Sequence, residues 1–151
     1  MTHAILLAAL LAAGVAGAQS PGPVPIFVGP MVREGFVDVD QGVLDSIKDI
    51  QGELRKDRAF AVVAVEADAA LKLYVVNRTK RETGGSVAIG TATGGVGTAT
   101  VVPLTAYRLE TLLLVGSYKR AFTGEGTWKG SARAVAKDLA VWVAANRGRI
   151  P

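Results

Sequence analysis

Two stretches of the chain place apolar residues at helical spacing, with charged residues on the remaining faces. Over residues 41–57 this spacing predicts an amphipathic helix, with Asp40 at the N-cap and basic residues at its C-terminal end. A second amphipathic helix is predicted near the C-terminus, with Gly148 at the position of a left-handed C-cap. The apolar stripes of the two helices are Val43, Leu44, Ile47, Ile50 and Leu54, and then Ala132, Val135, Leu139, Trp142 and Val143.

Other apolar patterns between these helices predict strands. Residues 59–65 are uniformly apolar and rich in valine, which predicts a strand buried on both faces. From Leu71 to Val76 the residues alternate in the period of a strand, and this strand is expected to end in the polar run 77–82. Weaker patterns predict strands at residues 36–38, 86–93 and 98–104.

The strongest local signal is a hairpin centred on Gly116-Ser117. Two runs rich in strand-forming residues meet there, and a Gly-X pair suits a type II′ turn because glycine tolerates a positive φ at the first corner. The register of that turn predicts three cross-strand pairs on which the hairpin can be checked. They are Val115 with Tyr118, Thr111 with Phe122, and Arg108 with Glu125. The same register sets Arg120 opposite Leu113, so the stem of the arginine must pack while its guanidinium reaches water.

The stretch "GTATGGVGTAT", residues 90–100, could cradle a phosphate or turn the chain. Phosphate-binding loops need their glycines to open a helix, and the P-loop kind also needs a lysine followed by Ser or Thr. No lysine or arginine lies between Arg81 and Arg108, and the flanking residues favour strands. The stretch is therefore expected to reverse the chain between two strands, as a hairpin or a loose flap.

A short strand, a helix, several antiparallel strands and a final helix predict an α+β fold. The expected architecture is a two-layer sandwich, in which two amphipathic helices pack on an antiparallel sheet of about four to six strands.

The N-terminus of the chain predicts export. Residues 5–17 are all apolar or glycine, which is too short for the roughly 20 helical residues that span a bilayer. The small residues at 16–18 complete the pattern of a secretory signal peptide over residues 1–18. Residues 19–35 hold four of the six prolines and are expected to form an extended, largely irregular arm. A single α+β domain is then expected over residues 36–149, in a periplasmic or secreted protein.

Composition narrows the chemistry that this domain could perform. The chain has no cysteine, and its one histidine, His3, lies in the predicted signal peptide. Without either residue type, the remaining chain cannot use histidine or thiol catalysis and lacks the ligands of nearly all zinc and copper sites. We therefore predict no catalytic, cofactor-binding or metal-binding residue. A carboxylate-based hydrolase stays open as the alternative, because Glu66 and Asp68 are spaced to share one face of a strand.

The net charge of +4 favours anionic surfaces, although the basic residues are scattered in twos and threes. One set of residues combines positive charge with aromatic rings, as sites for anionic polymers do. These tentative surface-binding residues are Tyr118, Lys119, Arg120, Trp128 and Lys129.

Several segments between residues 36 and 149 resemble a group of small exported bacterial proteins of unassigned function. The segments are "FVD", "DSIKDIQGELRK", "EADAALKLYVV" and "LLLVGSYKRAFTGEGTWKGSARAVAKDLAVWVAANR". A helix followed by "EAD" and a strand is also similar, in architecture alone, to periplasmic domains such as the TolB N-terminal domain. The resemblance implies a fold and a compartment but no activity. We expect a non-catalytic exported domain that binds an envelope protein or anionic polymer, with nucleic acid an improbable partner outside the cytoplasm.

Overall fold

The structure, a computed structural model, describes residues 22–32, 39–93 and 96–151. The predicted signal peptide and the predicted strand at 36–38 lie outside these residues. Within them the chain forms a mixed α+β fold of five strands and two helices, with 3-10 turns at Glu66–Asp68 and Arg147–Arg149. In chain order the elements are β1 (Val24–Pro30), α1 (Gln41–Leu54), β2 (Phe60–Val62), β3 (Leu71–Thr93), β4 (Val96–Val115), β5 (Tyr118–Gly126) and α2 (Trp128–Asn146).

The strands form one sheet in the order β2-β1-β3-β4-β5. Strands β3, β4 and β5 are an antiparallel meander, but β1 runs parallel to both of its neighbours. The prediction of a purely antiparallel sheet is therefore wrong. The reason is that α1 connects β1 to β2, and a helical crossover returns the chain in the same direction.

Residues 24–30 are the main correction to the predicted fold, because they form a central strand and not an irregular arm. Val24, Ile26 and Val28 are buried at alternate positions, which is the period of a strand. Prolines argue against a central strand because they cannot donate to the ladder. Here Pro25 and Pro30 stand at the second and last positions, and the carbonyl of Pro25 still accepts from the amide of Ala70 at 3.0 Å.

The predicted strand over residues 59–65 is shorter and less buried than expected. Only Phe60–Val62 pair, and β2 lies at one edge of the sheet beside β1. Phe60 is buried, whereas Val65 is 55% exposed. The apolar run 59–65 predicted a strand buried on both faces. As an edge strand, β2 has only one neighbouring strand, so more of its side-chain surface stays exposed.

Buried positions alternate along the strands and join the apolar stripes of the helices in a single core. The two helices contact each other, and α2 also contacts β4 and β5. The buried side chains of the strands are Val24, Ile26 and Val28 in β1, Phe60 in β2, Leu71, Leu73 and Val75 in β3, Leu109, Thr111, Leu113 and Val115 in β4, and Phe122 in β5.

The helix boundaries agree with the predicted N-cap but not with the predicted C-cap. Asp40 Oδ1 accepts from the amide of Gly42 at 3.3 Å, so it caps α1 as expected. At the other end of the chain, α2 continues through Arg147 into a 3-10 turn, and Gly148 is not among the glycines with positive φ. The prediction of a left-handed C-cap at Gly148 is therefore wrong. Neither of the described helices is long and apolar enough to cross a membrane.

The predicted hairpin is confirmed pair by pair. Gly116 has a φ of 56°, and the register sets Val115 opposite Tyr118 and Arg108 opposite Glu125. No non-glycine among the described residues has a positive φ, so Ser117 does not, as a type II′ turn requires. Arg120 does lie opposite Leu113, and its side chain is exposed, with the guanidinium carbon 5.3 Å from the Phe122 ring.

The predicted strands at 86–93 and 98–104 are the outer parts of two long strands, β3 and β4. The strand beginning at Leu71 was predicted to end in the polar run 77–82. In the structure β3 continues through this run to Thr93. Pairing continues to Thr93 opposite Val96, so the glycine-rich stretch reverses the chain as predicted.

Candidate binding surface

The five residues of the predicted binding surface lie at the two ends of β5. Tyr118, Lys119 and Arg120 begin the strand, whereas Trp128 and Lys129 follow it at the start of α2. A strand rises about 3.3 Å per residue, so the two groups are separated by roughly 26 Å along β5. The structure does not bring the five residues together on one surface.

At the second of these ends, Trp128 is engaged inside the molecule. Its ring packs on Tyr107, with centroids 4.6 Å apart, and the guanidinium carbon of Arg78 lies 3.8 Å from its centroid. The hydroxyl of Ser131 donates to the Tyr107 carbonyl at 3.2 Å and ties α2 to β4 beside this stack. Half-buried Trp128 therefore serves as packing at the base of the long β3 and β4 strands.

Sequence reasoning missed Arg78 in this stack because of a register shift. Between Val75 and Asn77 one residue of β3 is left out of the pairing with β4. Strict alternation would put Arg78 on the face opposite to Val75, but the shift places it opposite Leu109 on the buried side. The Nε atom of Arg78 is buried and has no hydrogen-bond partner in the described part of the chain, while the guanidinium carbon lies over the face of the Trp128 ring in a cation–π contact.

At the first end of β5, Tyr118 leans towards α2. Its ring stacks on Trp142 with a centroid separation of 5.6 Å and an angle of 15°, and 44% of Tyr118 remains exposed. This contact places the beginning of β5 beside the C-terminal half of α2. Lys119 and Arg120 are exposed next to it.

A groove of about 410 Å³ follows β5 along α2. Its lining mixes polar and apolar residues, and Val141, which is 64% exposed on α2, contributes apolar surface to one wall. Val141 lies outside the predicted apolar stripe of α2, on the polar face of the helix. An apolar residue in such a position is the sequence feature that could have indicated the groove. The residues of β5 in the groove are Arg120, Ala121, Phe122 and Thr123, and those of α2 are Asp138, Val141, Trp142, Ala145 and Asn146.

The outer side of β5 is available for hydrogen bonding. It is the last strand of the sheet, and within the described residues no strand pairs with its outer side. In a hairpin with a two-residue turn, the residues that flank the turn form a hydrogen-bonded pair, and the pattern then alternates. From the pair Val115–Tyr118, the amides and carbonyls of Lys119, Ala121, Thr123 and Glu125 therefore point away from β4.

A larger cavity, of about 610 Å³, lies where β3, β4 and β5 meet. Arg108 Nε lies 3.0 Å from Glu110 Oε1, and Glu125 stands opposite Arg108 in the register of β4 with β5. The amide of Asn77 donates to the other oxygen of Glu110 at 3.5 Å. The lining also holds Lys80, Arg81 and Glu82, so its three basic and three acidic side chains balance and do not select a ligand of either charge.

Glu66 and Asp68, the alternative catalytic pair, do not share a strand face as predicted. They lie in an exposed 3-10 turn between β2 and β3. Glu66 forms an ion pair with Lys72 at 3.0 Å, and hydrogen bonds from Tyr74 and then from Lys72 hold the pKa of Glu66 below its usual range. A general acid needs the opposite shift, since it must keep its proton near neutral pH. No group of three His, Cys, Asp or Glu side chains that could hold a metal ion occurs in the described residues.

The pair formed by Tyr74 and Glu66 predicts an unusual tyrosine titration. Burial and, to a smaller extent, the hydrogen bond to Glu66 raise the pKa of Tyr74 to about 12. The stability that this raised pKa contributes is present below the ordinary tyrosine pKa of about 10 and is lost as the pH rises through 12. In an ultraviolet titration of the three tyrosines, we expect one to ionise late.

Glu66→Gln should lower the pKa of Tyr74 only in part, because burial remains. Asp68→Asn, which alters a carboxylate of the same turn, should leave the titration of Tyr74 unchanged. Three tyrosines that titrate together in the wild type would contradict the burial of Tyr74, and an unchanged titration of Tyr74 in Glu66→Gln would contradict the hydrogen bond.

No protein-family model matches the chain, and the search of curated proteins gave no match either. The resemblance to small exported bacterial proteins and to the TolB N-terminal domain therefore stays a prediction.

Proposed function

We propose that the protein is an exported, non-catalytic domain that binds an extended segment of another envelope protein along the outer edge of β5. The observation that carries the proposal is the outer edge of β5, a strand of nine residues with a groove of mixed polar and apolar lining between it and α2. Addition of a strand to such an edge supplies main-chain hydrogen bonds, and pockets beside the edge select side chains. Export rests on the predicted signal peptide at residues 1–18.

The groove favours a partner segment with apolar and acidic residues. Val141, which is 64% exposed beside the largely buried Phe122 and Trp142, offers apolar surface to a partner side chain. Lys119 and Arg120 favour negative charge at the beginning of β5. Asp138 lies on the α2 side of the groove and disfavours a uniformly acidic ligand. An extended peptide of mixed character therefore fits better than an anionic polymer, which would interact with the basic residues alone.

We also infer that the fold is a two-layer sandwich with both helices on one face of the sheet. In support, the buried positions of β1, β3 and β4 follow a single alternation and pack in one core with the helices. In this arrangement α2 lies along the side of β5 and forms the second wall of the groove. The hydrolase alternative has no such support, because Glu66 has a lowered pKa and is tied to Lys72.

A single substitution can block strand addition at the outer edge of β5 without disturbing the pairing of β5 with β4. Ala121 presents its amide outward, so Ala121→Pro removes a donor from the outer edge but none that pairs with β4. The matched control, Ala121→Val, keeps the amide. With the full chain immobilised and envelope extract passed over it, we expect the wild type and Ala121→Val to retain a partner and Ala121→Pro to lose it at an unchanged thermal midpoint.

Treatment of the extract with protease separates the two classes of partner. Loss of the retained material after digestion supports a protein segment, whereas retention after digestion would indicate an anionic polymer and overturn the proposed mode. Equal retention by Ala121→Pro and Ala121→Val would show that the edge of β5 is not the binding site. No retention by the wild type at low salt would contradict a binding role.

A further inference from the structure

The outer parts of β3 and β4 form a ribbon of only two strands, here called the distal ribbon and defined as residues 86–93 and 96–103. The pairing of β1 with β3 ends at Val75, and the pairing of β5 with β4 ends at Tyr107. Within the described residues, no third strand pairs with the distal ribbon. At about 3.3 Å per residue, the ribbon extends roughly 26 Å.

Such a ribbon is an incomplete sheet. A two-stranded hairpin on its own is at most marginally stable in water, and its outer edges expose rows of backbone donors and acceptors. Proteins that must keep such edges apart place charged residues on them. Between Glu82 and Arg108 the chain has no Lys, Arg, Asp or Glu, although one fifth of all its residues are charged. The edges of the distal ribbon thus lack protection by charge, and the one proline of the ribbon, Pro103, stands at its last paired position, next to the body of the sheet.

The ribbon also carries the same sequence on both of its strands. "GTAT" occurs at residues 90–93 in β3 and again at 97–100 in β4. The two copies pair antiparallel with each other, with Thr91 opposite Thr98 and Gly90 opposite Ala99. On its inner side, β3 already pairs antiparallel with the "GTAT" segment of β4. The outer edge of β4 in a second molecule can present the same segment, in the same direction, to the outer edge of β3.

Charge points to the same occupant. Two molecules that each carry +4 repel one another wherever their charged surfaces meet. The uncharged ribbon is the region where identical chains can approach without that cost. A different protein that recognised the ribbon by charge would need charged residues on it, and the sequence has none there.

We propose that the distal ribbon is a self-association surface, on which β3 of one molecule pairs antiparallel with β4 of the next. This contact is heterologous, so repetition gives a ring where the rotation closes and a longer assembly where it does not. The proposal does not depend on the groove beside β5, which lies on another strand.

Removal of the ribbon tests the proposal. Glu82 and Thr105 are directly opposite each other, so replacement of residues 83–104 by Asn-Gly should close the strands with a two-residue turn. By sedimentation velocity, the full chain should form oligomers that increase with concentration, and the shortened chain should be monomeric at every concentration. A monomeric full chain, or equal association of both chains with the same cooperative thermal transition, would overturn the proposal.

Disulfide trapping tests the strand register in the intact chain. Because the protein has no cysteine, a single introduced cysteine can only link different molecules. A mixture of Thr91→Cys and Thr98→Cys variants should give mixed dimers on mild oxidation, since cross-strand neighbours meet the distance requirement of a disulfide. A mixture of Thr91→Cys with Val32→Cys, an exposed position outside the ribbon, should not. Equal yields from the two mixtures would refute pairing through the ribbon.

Discussion

Ile26→Ala is expected to lower the free energy of unfolding by about 3 kcal/mol, within the range for loss of buried isoleucine or leucine side chains. Ile26 is completely buried in the middle of β1, with Val62 of β2 on one side and Leu71 of β3 on the other. Its carbonyl also accepts from the amide of Val63 at 2.9 Å. Truncation of this side chain leaves a cavity between three strands and the helices, and the surrounding backbone is held too firmly to close it.

Chemical denaturation of Ile26→Ala and of two further variants tests whether residues 24–30 are a core strand or an arm. Val32→Ala truncates another β-branched side chain two residues after β1, where Val32 is 65% exposed, and should change the stability by less than about 0.5 kcal/mol. Ile26→Val, which removes one methyl group, should cost about 1 kcal/mol. If Ile26→Ala were as mild as Val32→Ala, residues 24–30 would not be part of the core.

The elements that depend on neighbouring residues could be predicted from the sequence. The type II′ turn at Gly116-Ser117 fixes its own register, so every cross-strand pair of the hairpin followed from two residues. The N-cap at Asp40 and the two amphipathic stripes are local in the same sense. Such features need no knowledge of which elements become neighbours.

Features that depend on distant pairing could not be predicted in this way. The alternation of Val24, Ile26 and Val28 was present in the sequence, but Pro25 and Pro30 concealed it, because proline normally excludes a central strand. The parallel pairing of β1 with β3 joins residues that are far apart in the chain. No local pattern indicates that α1 would act as a crossover and not as a separate layer.

The structure separates the tentative surface-binding residues into two groups. Arg120 lines the groove beside β5 and Tyr118 stacks on Trp142 at its start, but Trp128 belongs to the internal stack with Tyr107 and Arg78. The sequence supplied the residue types, but it could not supply the length of β5, which holds the two groups apart. Nor could it show that α2 returns along β5 and so forms the second wall of the groove.

That return of α2 across β5 depends on one small residue, and Gly124→Ala is expected to destabilise the protein by about 3 kcal/mol. A Cβ atom at Gly124 would overlap the carbonyl oxygen of Ser131 and lie 2.7 Å from its carbonyl carbon and 2.8 Å from its Cα. All three are backbone atoms in the first turn of α2, so no side-chain rotation can relieve the overlap. Gly124 does not have a positive φ, and the requirement for glycine here is therefore one of space alone.

The clash can be relieved only by moving the beginning of α2, which is fixed on two sides. Ser131 is fully buried and its hydroxyl donates to the carbonyl of Tyr107, while Trp128 packs on the ring of Tyr107. Displacement of α2 would weaken both contacts, and the fluorescence of Trp128 should change along with the thermal midpoint.

Gly52→Ala is the matched control, and its expected effect on stability has the opposite sign. Gly52 lies within α1 with nothing within 4 Å of an added Cβ, so alanine there should stabilise the protein by about 1 kcal/mol. A neutral Gly124→Ala beside a stabilising Gly52→Ala would mean that α2 does not cross β5 at this point, and the groove on which the proposed binding mode rests would lose its second wall.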